Sequence, residues 1–367
     1  MPKEVRIGVI GTGVGVRTHI PGFRSVEGAK ILAISGSCQD RSEKFATELG
    51  IPTPYGDFHD LCESDQIDLV CVTSPTEFHC EHATFAISCG KHVLCEKPLA
   101  LTMPEIESMA RCSHGTEKIC VVDHQLRFNP YIHKVRQILR KGDIGRPYFV
   151  RIHQQSTSFA NRNAPWNWSF DVQHGGGVRL AMGSHFIDLL NYWFGKQCLN
   201  VRCALDSVVS KRYVDGIEKK VDVSGFFSAS LAWAEGLDVQ LSATAASCGT
   251  SRFDFSIFGE EGELHFDLDS KLRGALLPQN GVVQNIPVEG VLQEELSNKI
   301  SFFAGTFRYF APLLVRAVAS DNRELIADAS RFDDAIFTQR LLDAMLVSAL
   351  KGRTVEISEG YKAGALL

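Results

Sequence analysis

Two short stretches carry residue types that can do chemistry at the end of a strand. The first is Gly11-Thr12-Gly13-Val14-Gly15-Val16, directly after the apolar run Val5–Ile10. A glycine-rich turn that opens a helix lets backbone N–H groups meet a pyrophosphate, and the helix dipole adds to the attraction. The spacing departs from Gly-x-Gly-x-x-Gly, because Val16 holds the third position and Gly15 comes one residue early. The second stretch is Glu96-Lys97-Pro98, just past the apolar run His92–Cys95. Ligands of open α/β sheets bind beyond the carboxyl ends of the strands. An ammonium there can donate to a substrate oxygen as charge develops on it, and desolvation can lower its pKa toward a working range.

The nucleotide preference is written after the second strand. NAD-binding units usually place a carboxylate there for the ribose diol. This chain has Ile34-Ser35-Gly36-Ser37-Cys38, and its first acidic residue, Asp40, comes late. Gly36 sits at the turn, and Ser37 and Arg41 are suited to a 2′-phosphate. The expected cofactor is therefore NADP, with NAD as the alternative.

The elements that must position these groups change character along the chain. Strand-like runs at Val5–Ile10, Lys30–Ile34, Ile67–Thr73, His92–Cys95 and Lys118–Val122 alternate with helical stretches. That rhythm predicts βαβ units and a parallel sheet covered on both faces. From about Pro147 the strands Tyr148–His153, Ser224–Trp233, Leu237–Ala243, Arg252–Phe258 and Glu263–Phe266 follow one another with few helices. Their alternation predicts an open, mainly antiparallel sheet, with a hairpin turn at Gly259-Glu260-Glu261-Gly262. Helices are expected at Pro130–Lys141, Gly183–Phe194 and Phe332–Lys351, and residues 270–300 read as loop. Gly175-Gly176-Gly177 precedes the second of these helices, where a backbone without Cβ atoms could approach a ligand. The fold class is α/β, with a nucleotide domain over 1–125 and an α+β substrate and oligomerisation domain over 126–367.

Composition bounds the function. Of 367 residues, 44% are hydrophobic and 22% charged, ordinary globular values that argue against wholesale disorder. The net charge of −5 argues against a nucleic-acid binder with a broad basic face. No apolar run reaches the roughly 18–20 residues of a membrane span. The N-terminus enters a strand-like run at once, so no signal peptide is expected. Eleven scattered cysteines without a Cys-x-x-Cys pair read as reduced thiols of a cytoplasmic protein, and no clustered metal-ligand spacing occurs.

Several segments together resemble the glucose-fructose oxidoreductase / inositol dehydrogenase (Gfo/Idh/MocA) family. They are Ile10-Gly11-Thr12-Gly13 with His19-Ile20-Pro21, Thr73-Ser74-Pro75-Thr76-Glu77-Phe78-His79, and Gly90-Lys91-His92-Val93-Leu94-Cys95-Glu96-Lys97-Pro98-Leu99-Ala100. His124-Gln125-Leu126-Arg127-Phe128-Asn129-Pro130 and Gly183-Ser184-His185-Phe186-Ile187-Asp188 continue the series. The resemblance implies a Rossmann domain, a second domain whose sheet often forms homodimer or homotetramer contacts, and NAD(P)-dependent oxidation or reduction of sugars and polyols. It places Thr73, Ser74, Pro75, His79, Glu96, Lys97 and Gln125 beside the cofactor, along with Gly11, Thr12, Gly13, Val14 and Gly15. It makes Lys97 a contact to both substrate and cofactor, His185 the general acid/base, Pro98 a cis residue and His19 a support of the turn. One departure stands out: relatives resembling inositol dehydrogenase carry an Asp four residues before the histidine, where this chain has Ala181. Asp123 stands where the family commonly has Gly, a weak substitute for that carboxylate.

Trp166 and Trp168 flank Asn167 and can stack on a sugar face, and Arg179 can meet an acidic substituent. The expected function is hydride transfer between a nicotinamide and a sugar, polyol or related carbonyl, with Lys97 polarising the oxygen and His185 relaying the proton. Two alternatives follow from Ala181 and from the family: a non-catalytic sugar-sensing regulator, or a glycosidase that retains its nicotinamide.

Overall fold

The computed structural model describes residues 3–277, 281–292 and 302–358. Contacts divide the chain into two units, Met1–Asn129 with Leu292–Ile336, and Pro130–Val291 with Phe337–Leu367. A single cut at 125 therefore does not describe the packing, because the chain returns to the first unit after building most of the second.

In the first unit, β1 (Val5–Ile10), β2 (Ala29–Ser35), β3 (Thr53–Tyr55), β4 (Leu69–Val72), β5 (His92–Cys95) and β6 (Cys120–Val122) form a parallel sheet. Its order is β6-β5-β4-β1-β2-β3, and the short strand Ser330–Arg331 adds antiparallel to β6. This is the doubly wound order, in which the sequence leaves β1 in opposite directions for β2 and for β4. The crevice at that reversal lies outside the carboxyl ends of β1 and β4.

Successive side chains of a strand point to opposite faces, and both faces here are buried. Val70, Val72, Val93, Cys95 and Val122 pack with Ala83, Ala86, Ile106 and Met109. Those four belong to the helices α1 (His79–Ser88) and α2 (Met103–His114). Ile7, Val9, Leu69, Cys71, Leu94 and Val121 pack on the other side against Phe307, Phe310, Leu314 and Val318. These four come from the helix Phe302–Ser320, which explains why that late segment belongs to the first unit. Phe307 meets Phe23 edge-on at 5.1 Å and would touch a Cβ at Gly22, so a glycine is needed there.

The second unit carries a nine-stranded sheet. Its strands are β7 (Pro147–Gln155), β8 (Cys198–Asp206), β9 (Phe226–Trp233), β10 (Leu237–Thr244), β11 (Arg252–Gly259), β12 (Gly262–Asp267), β13 (Lys271–Leu276) and β14 (Gln284–Asn285), closed by Val355–Glu356. The order is β14-β13-β12-β11-β7-β10-β9-β8 and then Val355–Glu356. All pairs are antiparallel except β7 with β10, so the sheet is mixed by one parallel pair. Gly259 and Gly262 pair across the expected hairpin. A separate two-stranded ribbon joins Lys211–Val214 to Ile217–Lys220.

Three expectations need correction here. Residues 270–300 are not simply loop, because β13 and β14 lie within them; residues 278–280 and 293–300 fall outside the described residues. Pairing with β12 holds Lys271–Leu276 in the sheet, although its own pattern is weak. The helix expected from Gly183 begins at Val178, capped by Gly177 with φ +94°, and runs to Phe194. Gly183 lies inside it, where a Cβ would stand 2.9 Å from Leu342 Cδ2, so it marks a close helix approach rather than a start. The glycine run is likewise taken up by the chain itself. A Cβ at Gly176 would stand 2.3 Å from the Ser169 carbonyl oxygen, and one at Gly177 2.9 Å from Val223 Cβ.

Phe307 is fully buried between Phe23 and His19, so Phe307→Ala leaves a large void. The expected cost is about 3–5 kcal/mol of unfolding free energy, read from the denaturant midpoint. A loss under about 1 kcal/mol would contradict the described packing.

Candidate active site

The glycine turn sits at the sheet reversal and is shaped by β4 rather than by its own helix. Gly11 has φ +109°, and a Cβ there would lie 2.5 Å from the Thr73 carbonyl group. Gly15 is just as constrained, with a Cβ 2.4 Å from Thr73 Oγ1 and 2.8 Å from Val9 Cγ1. Thr73 Oγ1 in turn donates to the carbonyls of Ile10 at 2.8 Å and Gly11 at 3.2 Å. Gly13 differs from both: a Cβ there would meet nothing within 4 Å. It is open to a ligand, as a pyrophosphate cradle requires, and Thr12 and Val14 beside it are half-exposed.

The early Gly15 has a structural answer. Gly15–His19 winds as a π-turn in which the Ile20 N–H reaches back to the Gly15 carbonyl. That wider turn absorbs one extra residue. Gly15 thus takes the close-packing position, and His19 ends the turn with its ring fully buried. The helical stretch that follows is only Ile20–Arg24.

The segments after β4 and β5 are tied together by His79. Its Nε2 lies 2.8 Å from the Ser74 carbonyl and its Nδ1 3.0 Å from the Pro98 carbonyl. Burial pushes its pKa down, while the two carbonyls pull the other way. Ser74 Oγ also pairs with His82 Nδ1 at 3.0 Å, a partner that no sequence signal pointed to. The Lys97–Pro98 peptide is cis. Lys97 itself is half-buried. Burial lowers its pKa from the ordinary lysine value, while the charges of Glu96 and Asp123 pull the other way.

Beneath Lys97 the first unit gathers three groups far apart in sequence. His19 Nε2 lies 2.9 Å from Glu96 Oε1 and 3.2 Å from Asp123 Oδ2. Glu96 Oε2 accepts from the Lys97 N–H at 3.1 Å. No clustered spacing is visible in the sequence, yet these polar atoms lie within 4.8 Å of one another. The two short separations are hydrogen-bond lengths to one ring nitrogen, which a shared proton explains. Burial is the largest single influence on His19 and opposes its charge. Hydrogen bonds to Asp123, Cys71 and Glu96 together outweigh it, and its pKa rises well above the usual value. Burial raises the Asp123 pKa, and the hydrogen bond from His19 offsets this only in part. Glu96 is also opposed by burial, but its hydrogen bond and ion pair with His19 leave its pKa lowered.

The other expected residues divide by unit. Arg41 Nε donates to Thr12 Oγ1 at 2.6 Å, with its guanidinium 5.6 Å from the Phe45 ring centre. This brings a cation to the edge of the glycine turn. Gly36 N–H donates to Ser42 Oγ, and Ser37 is exposed beside it. Pro75 caps the short 3-10 turn Thr76–Phe78. Gln125 is buried, with Nε2 3.3 Å from the Phe303 carbonyl.

In the second unit, His185 lies in the third turn of the helix Val178–Phe194 and is 3% exposed. Ala181, one turn earlier, is exposed. Trp168 is 44% exposed. Trp166 gives its indole N–H to the Lys220 carbonyl, and Lys219 covers its ring at 4.3 Å. Arg179 does not match the expectation of a substrate contact. It is buried, donates to the Leu342 carbonyl at 2.8 Å and faces Asp343, whose pKa burial pushes up to about 6. Its charge answers a buried carboxylate within the unit.

A doubly wound sheet with a glycine turn at its reversal and a half-buried lysine at a neighbouring strand end defines a dinucleotide-binding oxidoreductase. Two family models match: the Gfo/Idh/MocA oxidoreductase family with NAD-binding Rossmann fold over residues 5–124, and the Gfo/Idh/MocA C-terminal domain over residues 132–265. The chain belongs to this family. An uncharacterized oxidoreductase (sll0816) of Synechocystis is 28% identical, covering 73% of this chain and 72% of the relative. Myo-inositol 2-dehydrogenase of Thermotoga maritima is 31% identical over 53% of this chain and 56% of its own length. The fold of levoglucosan dehydrogenase, solved with NADH and L-sorbose, superposes with a TM-score of 0.84 at 22% identity, covering 97% of this chain and 99% of that one. No helix among the described residues is long and apolar enough to cross a membrane.

The contrast between glycines is testable. Gly13→Ala adds a methyl group into open space, so thermal stability should stay within about 0.5 kcal/mol of the parent. Dinucleotide affinity should drop at least about tenfold, because that methyl group stands where the pyrophosphate approaches. Gly11→Ala should lower the melting temperature instead, because its Cβ meets Thr73 backbone at positive φ. Unchanged nucleotide binding in Gly13→Ala would remove that turn from the site.

Proposed function

We propose that this chain is an NADP-preferring dehydrogenase or reductase of a sugar, polyol or related carbonyl or alcohol. The observation that carries this reading is Lys97. It stands beyond the end of β5, half-buried beside the sheet reversal, with its pKa lowered by burial. A lysine so placed can hold a proton at a substrate oxygen and release it within a workable pH range. A bound nicotinamide supplies or accepts the hydride. The cradle fits a dinucleotide because Gly13 leaves its backbone open while Gly11 and Gly15 are fixed by Thr73.

The NADP preference is supported by Arg41 at the glycine turn and by the lack of a carboxylate between Ser35 and Cys38. The substrate class is supported by relatives named as inositol dehydrogenases and by a similar fold solved with L-sorbose. His185 is the proposed proton relay, from the resemblance of its segment and the titration range of imidazole. Trp168 is a candidate stacking surface for a sugar face. The open face of the nine-stranded sheet is the proposed contact between copies, in a homodimer or homotetramer. Eleven free cysteines suit a reducing, cytoplasmic setting.

Ala181 favours a second reading, a dinucleotide-binding sugar sensor without turnover. A methyl group can neither orient the imidazole nor accept a proton. A sugar and polyol panel that gives no absorbance change at 340 nm, with dinucleotide bound, would select that reading.

Two variants test the first reading. Lys97→Met should lower kcat at least about 1,000-fold and leave the dinucleotide Kd within about threefold. Unchanged turnover would remove Lys97 from the chemistry. Arg41→Ala should weaken NADPH binding at least about tenfold and barely change NADH binding. Equal losses for both would overturn the NADP preference.

A further inference from the structure

We propose that Asp123 is a positioning residue for Lys97, acting through a buried imidazolium of His19 and the carboxylate of Glu96. The contacts form one line within the first unit: Asp123 Oδ2 to His19 Nε2 at 3.2 Å, the same nitrogen to Glu96 Oε1 at 2.9 Å, and Glu96 Oε2 to the Lys97 N–H at 3.1 Å. Asp123 and His19 have no exposed surface; among the described residues neither Asp123 oxygen nor His19 Nδ1 has a hydrogen-bond partner, so Asp123 meets the ring as an ion pair at 3.2 Å.

Holding two carboxylates against one buried ring carries a cost. Two carboxylates against one neutral ring nitrogen would leave a buried charge without an answer, which low-dielectric surroundings penalise heavily. A ring carrying its second proton answers both. Asp123 is what sustains that proton: burial alone would drive the ring neutral, and the Asp123 carboxylate, 3.2 Å from Nε2, sets a second negative charge beside that of Glu96. The imidazolium in turn keeps Glu96 ionised and fixed, and Glu96 holds the backbone from which Lys97 projects.

The other groups around the trio do not replace Asp123. Cys71 from β4 and Cys95 from β5 have thiol pKa values raised by burial, so both stay neutral. His124, just past β6, faces Asp123, and His79 from α1 faces Glu96, its own pKa lowered by burial. Phe307 stacks on the His19 ring at 4.4 Å and shuts out water on that side.

The inference rests on the reading of Lys97 as the group at the substrate oxygen, but its first test needs no turnover. His19 is followed by 15N-histidine NMR against pH in the full chain, with His19→Asn for assignment. In the parent, His19 should remain an imidazolium at pH 7 and above. In Asp123→Asn its proton affinity should fall at least about tenfold, bringing its titration to lower pH. The second readout is kcat/KM against pH. Because the folded pKa of His19 is raised, its hold on Glu96 is present at low pH and lost as pH rises through that pKa. Asp123→Asn should therefore show a new loss of activity on the alkaline side, at the pH where His19 now titrates, with nucleotide Kd unchanged.

A neutral His19 in the parent at pH 7 overturns the proposal even if the variant fails to fold. So does an unchanged His19 titration in Asp123→Asn, or a lowered one without a change in the activity profile. One divalent cation per chain in the purified parent would also overturn it, because a cation would take the place of the proton. Turnover that survives Lys97→Met while His19 behaves as expected faults the reading of Lys97 alone.

Discussion

The contact on which the site depends is the one between the ends of β1 and β4. Thr73 closes against Gly11 and Gly15 so tightly that neither position has room for a Cβ. This closeness is a consequence of strand order. β1 and β4 are neighbours at the sheet reversal, and both are buried on two faces by helices and by the segment Phe302–Ser320. Backbone N–H groups can face a phosphate there because no side chain covers Gly13. The π-turn after Gly15 follows from the same restriction. The glycine comes where Thr73 needs it, one residue before the usual spacing, and the wider turn restores the path of the chain.

The second constraint is electrical. Four ionisable groups, His19, Glu96, Lys97 and Asp123, lie at one end of a sheet, in surroundings that disfavour charge. Burial opposes the charged form of every one of them. Ion pairing prevails at His19 and Glu96, where partners stand at hydrogen-bond distance. Burial prevails at Lys97 and Asp123. Lys97 is thereby easier to deprotonate and projects from backbone held by a carboxylate that stays ionised, the combination that its proposed acid–base role calls for. Packing and electrostatics meet at His19, whose ring is stacked on Phe307 and whose Nε2 meets two carboxylates.

Much of this was legible from residues alone, and the limits have physical reasons. Val5–Ile10, His92–Cys95, Pro130–Lys141 and Phe332–Lys351 match the structure at both ends, because each has a clear period or a sharp polar boundary. Phe302–Ser320 was invisible: it is apolar on much of its surface, contains Pro312 and follows a stretch without pattern. With it went the true extent of the first unit. Lys97 and the glycine turn lie at strand ends as expected, because each is a local motif; their roles belong to the proposal. The trio could not be read, because His19, Glu96 and Asp123 meet only when β1, β4, β5 and β6 lie side by side. The presence of Asp at position 123 was the one available signal. Arg179 failed in the opposite way, since a charged residue near a glycine run looked available and is instead held by Leu342 and Asp343.

The most direct measurement of the whole account is calorimetric titration of the purified parent chain with NADPH and with NADH. One dinucleotide per chain should bind with saturable heat, the phosphorylated form more tightly. A flat thermogram for both nucleotides at high protein concentration would contradict it.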